Sequence, residues 1–467
     1  MSVQTISVDA SPVKRFFIDI ITRDIGLMAA ILDLVDNAVD SARGLRDNGD
    51  LSGLRVGIAL TSEHFSIQDN CSGIDPNSAR DFVFRMGRPD DVEASPGSIG
   101  QFGVGLKRAL FKLGRIFEIK SSTRKNSLSI NLDVDKWVVT DDWSFPMVVE
   151  EGGASVAGTA IVVRRLNSLA AEAFTRHTFL EELREELRSR HRLAVGNGLQ
   201  ISLNDVPVAQ AESSVAASSL MAPAIRSFTI ENHGAGPISV RIVAGVSSTL
   251  SGDIDEDGEP EAQSKAASDA GWLVFGNNRL LLASDKSSIT GWGSGRNRMP
   301  QYHNQYSRFR GFVYLSSTDA SAIPWNTMKT GVDSDSAAWD TIRDAMISAG
   351  REIITLLNFA KAERQSGVIG STPILDALRD ARAKDVREAV SEAEASYSMS
   401  ITELRGGVVV AAYYPSPGPS AEVNLKKIQY RVGAEAFDEI VEATGNSNAA
   451  EIGRLSFDEY YANHIRA

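Results

Sequence analysis

The chain reads as an α+β protein of more than one domain, and three patterns predict this. Residues 18–45 place Leu27, Ile31, Leu34, Val35 and Ala38 at three- and four-residue spacing, the mark of a helix with one apolar face. The stretch LRVGIALTSEHFSIQDN that follows alternates as two strands joined by a turn. Beyond it, strand-like and helical segments succeed one another without an internal repeat, and 467 residues exceed what a single core ordinarily spans.

Taken in order, glycines 100, 103 and 105 precede LKRALFKLG, a helix that Gly114 is placed to cap. IFEIKSSTRKNSLSINLDVDKWVV reads as an antiparallel strand pair and GTAIVVRRL as a further strand. Residues 1–170 therefore form helices on one side of a sheet. A helix at FLEELREELRSRHRLA leads into a second α/β region over 171–333, with strands at QISLND, ISVRIVAGV, GWLVFGNNRLLLA and FRGFVYLSS. Residues 334–404 are mostly helical. Residues 405–467 form a small C-terminal α/β module that begins at GGVVVAAYY and a PSPGPS turn and ends in one strand and two short helices.

Apolar content of 43% and charged content of 23% are ordinary for a soluble globular protein. The longest apolar run, VVVAAYY, is far short of the roughly 20 residues that cross a bilayer. The N-terminus lacks the apolar core of a signal peptide, and the single cysteine, Cys71, fits a reducing compartment, so the expectation is a cytoplasmic protein with no membrane partner. The net charge of −12 disfavours non-specific nucleic-acid binding over the whole surface. The charge is uneven: Ser251–Ser264 holds six acids and no base, whereas Gly271–Phe312 holds six Lys/Arg against Asp285 alone. The acidic stretch reads as a solvated loop. The basic one fits either a phosphate-contacting surface or a solvated sheet face.

Four segments carry chemistry. On the first helix Asp33, Asp36, Asn37 and Asp40 recur at three- and four-residue spacing opposite the apolar stripe, so they share a face. Oxygen ligands of this kind suit Mg²⁺ bridging to a phosphate, and a surface acidic face accounts for them equally. In IQDNCSGIDP, Asp69 ends an apolar strand with Gly73 four positions on. A buried carboxylate there accepts the amino proton of adenine and rejects guanine, whose carbonyl would leave it unpaired; an Asx turn explains the segment standing alone. In SIGQFGVGLKRALFKLG the glycines let backbone N–H groups approach an anion, the helix dipole adds to them, and Lys107 supplies a counter-charge. The spacing is not that of a P-loop, and no Ser or Thr follows the lysine. Lastly, Gly158 and Thr159 open a later strand.

In fixed order, D-x-x-x-N-x-x-D at 33–40, D-N-x-x-G-I at 69–74, G-x-F-G-x-G-x-K at 100–107 and G-T at 158–159 resemble the nucleotide-binding fold of gyrase B subunits, heat-shock chaperones, histidine kinases and MutL, the GHKL superfamily. The resemblance implies a Bergerat-type ATP-binding α/β sandwich over 1–170. GWLVFGNNRLLLASD and IPWNTMKTGVDSDS resemble the transducer domain of MORC-like and related bacterial members, which implies a ribosomal-protein-like α/β domain over 171–333. None of the six histidines lies in the phospho-acceptor pattern of a histidine kinase.

Carried over by position, the resemblance implies ATP and Mg²⁺ as ligands. Asn37 coordinates the metal, Asp33 stands where the family places the water-activating carboxylate, Asp40 belongs to the motif or is structural, and Asp36 is a structural or solvent-facing acid. Asp69 takes the adenine amino group, with Gly73 in its turn and Thr159 in support. The loop Gly100, Gln101, Phe102, Gly103, Val104 and Gly105 cradles the phosphates with Lys107 alongside, beneath a lid, and Lys329 reaches the γ-phosphate. Many members carry glutamate as the base. Aspartate at 33 is roughly 1.5 Å shorter, and a misplacement near 1 Å costs about 100-fold in rate, so slow hydrolysis is expected. The implied activity is an ATP-gated clamp that closes as a homodimer. It acts on DNA through Arg279–Arg310 or on a protein through the C-terminal region, in the manner of stand-alone ATPases of anti-phage defence clusters. The alternative is a chaperone-like or signalling scaffold that binds ATP and a protein partner with little or no hydrolysis.

Overall fold

A computed structural model describes residues 12–46, 49–85, 105–152, 155–231, 236–248, 268–293, 297–326, 331–365, 372–396, 407–418, 432–445 and 448–464. The first sheet has eight strands: β1 (Arg55–Leu60), β2 (His64–Asp69), β3 (Gly114–Ser122), β4 (Asn126–Asp133), β5 (Met147–Glu151), β6 (Gly158–Leu166), β7 (Gln200–Leu203) and β8 (Val206–Pro207). Their order is β5-β4-β3-β6-β2-β1-β7-β8, antiparallel throughout except for β1 against β7. The helices α1 (Lys14–Arg23), α2 (Leu27–Gly44), the short α3 (Pro76–Ser78) and α4 (Gly105–Leu113) precede β3. Ile31, Leu34 and Val35 of α2 share a core with Leu110 of α4 and with Phe65, Ile67, Ile119 and Val163 of the sheet. The expected hairpin β1–β2 and strand pair β3–β4 are both present. After β6 come α6 (Ser168–Ala173), α7 (His177–Arg190) and α8 (Arg192–Gly196), α5 (Val134–Trp137) having followed β4.

One strand changes place. Gln200–Leu203, expected to open the second α/β region, pairs in parallel with β1 and extends the first sheet, its turn made by Asn204 and Asp205 at φ 49° and 61°.

The second sheet has the order β13-β12-β14-β11-β10-β16, from β10 (Ala224–Ile230), β11 (Ile238–Val246), β12 (Gly271–Gly276), β13 (Arg279–Asp285), β14 (Phe309–Ser316) and β16 (Val408–Val410). The long helix α9 (Ala337–Gln365) covers one face, joined by α10 (Pro373–Asp380), and Trp272, Trp292 and Trp339 lie in that core. The other face carries Ile225, Val243 and Phe312, packed against Val386, Ala389 and Val390 of α11 (Val386–Ser396) and the strand pair β9 (Ser214–Ala217) and β15 (Arg382–Asp385). Val408–Val410 thus belongs to the second sheet, on β10. Residues Ser420–Ala467 are a separate unit with α12 (Ala434–Thr444), ended by Gly445 at φ 69°, and α13 (Ala449–His464). No described helix is long and apolar enough to cross a membrane.

The two sheets meet at α2. Asn277 and Asn278, at φ 45° and 65°, turn the β12–β13 hairpin, and its tip lies on that helix. Arg43 Nη1 donates to the Asn277 carbonyl at 2.8 Å. Arg279 Nη1 stands 2.6 Å from Asp36 Oδ2, and both residues are only 4% exposed. Arg190 Nη1 and His191 Nε2, at the end of α7, are each 3.9 Å from the same carboxylate. No donor is in line with either Asp36 oxygen among the described residues, so charge rather than hydrogen bonding holds the contact. Burial brings the His191 pKa down to about 4 despite Asp36, which leaves the imidazole neutral at neutral pH. Removing one partner strands a buried charge. Arg279→Met is therefore expected to destabilise the protein by about 3–5 kcal/mol in urea unfolding, with Asp36→Asn/Arg279→Met recovering much of the loss.

Candidate functional site

At about 100° per residue, Asp33, Asn37 and Asp40 fall within about 60° of one another around α2, and Asp36 falls outside that arc. The structure separates them accordingly. Asp36 is buried at the hairpin junction, so it is neither solvent-facing nor a member of the polar face. Asn37 is exposed, and Asp33 and Asp40 are half-buried. The first turn of α4 packs against Asp33: a Cβ on Gly105 would lie 3.5 Å from Asp33 Oδ2. Arg108, one turn further, donates from Nη2 to the same oxygen at 2.7 Å. Asp40 stands 3.7 Å from Arg43.

The register of β2, β6 and β3 assembles a second cluster. Gln68 pairs with Ala160 and Ser121 with Thr159, which brings the end of β2 beside the start of β6. Asp69 Oδ1 accepts from Cys71 N at 2.8 Å and from Thr159 N at 3.3 Å. The Asx turn is thus real, and the carboxylate also braces the neighbouring strand. The Cys71 side chain also hydrogen-bonds to this carboxylate. Burial raises the Asp69 pKa, and the Cys71 and Thr159 hydrogen bonds oppose that rise. The buried Cys71 thiol is pushed up to about 12, first by burial and then by Asp69.

Ser121 ties this corner together and was not anticipated from sequence. Its Oγ accepts from Ile74 N at 2.8 Å, donates to the Gly158 carbonyl at 3.2 Å and lies 2.8 Å from Thr159 Oγ1. A hydroxyl at a strand end was the sole local signal, and it means nothing until β3 is known to flank β6. Ser41 Oγ and Ser72 Oγ, 2.7 Å apart, join the turn after Asp69 to α2. Gly73 has φ +70°, and a Cβ there would lie 2.0 Å from the Ser122 carbonyl oxygen. Asn70 is structural: its side chain accepts from Arg55 N at 2.7 Å and donates to Gly53 O at 3.0 Å.

Lys107 lies inside the fold, 2% exposed, with Nζ donating to the Val83 carbonyl at 2.8 Å. Val83 ends the π-helical turn Ala79–Val83 that follows α3, a helix capped by Asp75. Burial lowers the Lys107 pKa to about 8. Gly100, Gln101, Phe102, Gly103, Val104 and Lys329 lie outside the described residues. Among the described residues no three His, Cys, Asp or Glu side chains form a metal-binding group, so a divalent ion here would rest on Asn37 and on ligand oxygens. Of the six cations in Gly271–Phe312, the five described ones are not exposed. Arg279 is spent on Asp36, Arg308 on the Ser247 carbonyl and Arg310 on those of Ser307 and Phe309.

Residues 25–152 match the family model of the histidine kinase-, DNA gyrase B- and HSP90-like ATPases. The span holds α2, the Asp69 turn and α4, and stops short of Thr159. The match supports a GHKL-type ATPase domain in this part of the chain and, with it, ATP binding. No curated protein matches the chain. The donor set fits such a ligand: an acceptor corner at Asp69 and an exposed carboxamide at Asn37.

Gly73→Ala is expected to lower stability by about 2 kcal/mol or more, because strain and overlap with Ser122 add. Gly26→Ala, with open space and an ordinary φ at the N-cap of α2, is the control and should cost about 1 kcal/mol or less in the same thermal melts.

Proposed function

We infer that the protein is a Mg-ATP-dependent ATPase of GHKL type acting as an ATP-gated switch. The observation that carries this reading is one juxtaposition on α2. Asp33 packs against the first turn of α4, Asn37 lies exposed one turn further along the helix, and the Ser41–Ser72 contact ties the same helix to the Asp69–Thr159 corner. In this reading Asp69 Oδ2 accepts the adenine amino proton, and Thr159 orders the corner through Ser121. Asn37 holds Mg²⁺ with its carboxamide oxygen; the ion, when bound, neutralises charge on the phosphates. The loop 100–105 seats the phosphates with backbone N–H groups, Lys329 meets the terminal one, and Asp33 takes the proton of the attacking water. Arg108 holds one Asp33 oxygen and orients the carboxylate.

Phosphate release from ATP tests this. Asp33→Asn is expected to lower turnover by about 100-fold or more while nucleotide binding survives, the range a general base supplies. Equal turnover in the two proteins overturns the assignment.

The pKa of Lys107 supplies an independent test. Nucleotide phosphates seated at the start of α4 would restore the proton that burial loosens near pH 8. Binding at about pH 8.5 is then expected to take up protons and to weaken as pH rises further, since the bound form holds more protons than the free one. Calorimetry in two buffers of different ionisation enthalpy reads this directly. Identical heats mean that Lys107 stays on Val83 and serves structure only.

A second reading has support from the same residue. Asp33 is short for a base and is already paired with Arg108, which suits a scaffold that retains ATP without hydrolysis. For closure as a homodimer, Val13 at the N-cap of α1 and Phe16 and Ile20 within it are exposed along one side at 69%, 60% and 47%. Arg279, Arg308 and Arg310 are bonded within the protein and lend a DNA client no support. The exposed Ile440 and Leu455 of the C-terminal unit favour a protein partner.

A further inference from the structure

We propose that a cleft on the outer face of the second sheet binds a small phosphate monoester, at a site separate from the ATPase site. The cleft encloses about 600 Å³, a volume that admits a drug-sized ligand. Its floor is two cross-strand rows on β10, β11 and β14. Ser227, Arg241 and Tyr314 form one, and Thr229, Ser239 and Ser316 the other. Further along the same strands the face is apolar, with Ile225, Val243 and Phe312 sealed beneath α11. The lining changes to hydroxyls and guanidiniums where that cover stops. A solvated sheet face would account for hydroxyls, but the concave shape and the concentration of guanidiniums argue against that.

Three guanidiniums, Arg192, Arg241 and Arg387, stand around one carboxylate, Asp385, so the lining carries three positive charges less one, a net of +2. Arg387 uses that carboxylate, with Nε 3.2 Å from Asp385 Oδ1, and crosses the rim to Asn197 Oδ1 at 2.7 Å. Arg192 and Arg241 have no carboxylate within ion-pair distance among the described residues. Arg192 donates at 3.3 Å to two carbonyls, Ser189 and Glu212, and burial, then Arg188, lowers its pKa. Arg241 donates from Nε to Ser227 Oγ at 3.3 Å, and its terminal nitrogens have no protein acceptor among the described residues.

A phosphate monoester fits this lining on three counts. Its dianion matches the net charge, whereas a carboxylate leaves one cation over. Its oxygens accept the forked donors of arginine together with the serine and threonine hydroxyls. Its organic part has an apolar wall in Leu193, Val390 and Val408. Asn278 also lines the cleft, so an occupant would sit one residue from the Arg279–Asp36 pair on α2.

Titration calorimetry of the full chain with phenyl phosphate, in the presence of a saturating non-hydrolysable ATP analogue, tests the proposal. Binding is expected to persist under the analogue and to weaken roughly tenfold or more in Arg241→Gln and in Arg192→Gln. Benzoate, with the same ring and a single charge, is expected to bind roughly tenfold more weakly. Arg241 is exposed, so Arg241→Gln should keep the melting temperature of the parent and report on the site rather than the fold. The proposal is overturned by absence of binding up to about 10 mM, by displacement with the analogue, by benzoate binding as well as phenyl phosphate, or by unchanged affinity in both variants. These outcomes do not depend on hydrolysis, so failure here and failure of the ATPase reading remain distinguishable.

Discussion

A carboxylate taken out of water is tolerated only while cations stay beside it, and Asp36 imposes that condition at the point where the two sheets meet. It lies on the helix that also carries Asp33 and Asn37, and Arg279, which it requires, is at the tip of a hairpin from the second sheet. Arg190 and the neutral His191 close the remaining sides. With no in-line hydrogen bonds to compensate desolvation, the contact contributes little net stability and much geometry. Sliding the hairpin would uncover a buried charge, so α2 and the second sheet have one preferred placement. This makes α2 the shared element: one face fills the first core, another meets the hairpin, and a third presents the polar residues.

The candidate site follows from that placement and from strand order. The β3-β6-β2 neighbourhood sets Ser121, Thr159 and Asp69 side by side, although they are far apart in the chain. The Ser41–Ser72 contact then fixes this corner against α2. On the other side, α4 begins against Asp33 and continues with Lys107 and Arg108, one directed inward to Val83 and the other back to Asp33. The candidate site therefore arises from a helix tied at one end to the Asp69 corner and packed at the other against α4. The phosphate-ester cleft has a different origin. There a sheet face loses its helical cover, and the exposed rows turn from aliphatic to hydroxyl and guanidinium.

Much of this was legible in the sequence because it depends on local period and spacing. The apolar stripe of α2, the hairpin of β1 and β2, and the β3–β4 pair are set by neighbours within a few residues. So are the glycine at 73, which φ demands, and the ordered polar motifs that foretold a GHKL-type domain. Other features were hidden because they depend on partners distant in sequence. Periodicity groups Asp36 with Asp33 and Asn37 and leaves it either structural or solvent-facing, and only the docked hairpin shows that it is a buried structural charge. Gln200–Leu203 reads as a strand from its alternation, yet nothing local says that it joins β1 rather than a strand of the second sheet. The arginines of 279–310 looked like a basic surface. Tertiary packing satisfied Arg279, Arg308 and Arg310 within the protein, because guanidiniums at strand ends found carbonyls and a carboxylate. By itself the sequence determined the elements and the chemical types at the site. Tertiary structure alone decided which charges face a ligand and which hold the fold, since that choice rests on burial and on which strands become neighbours.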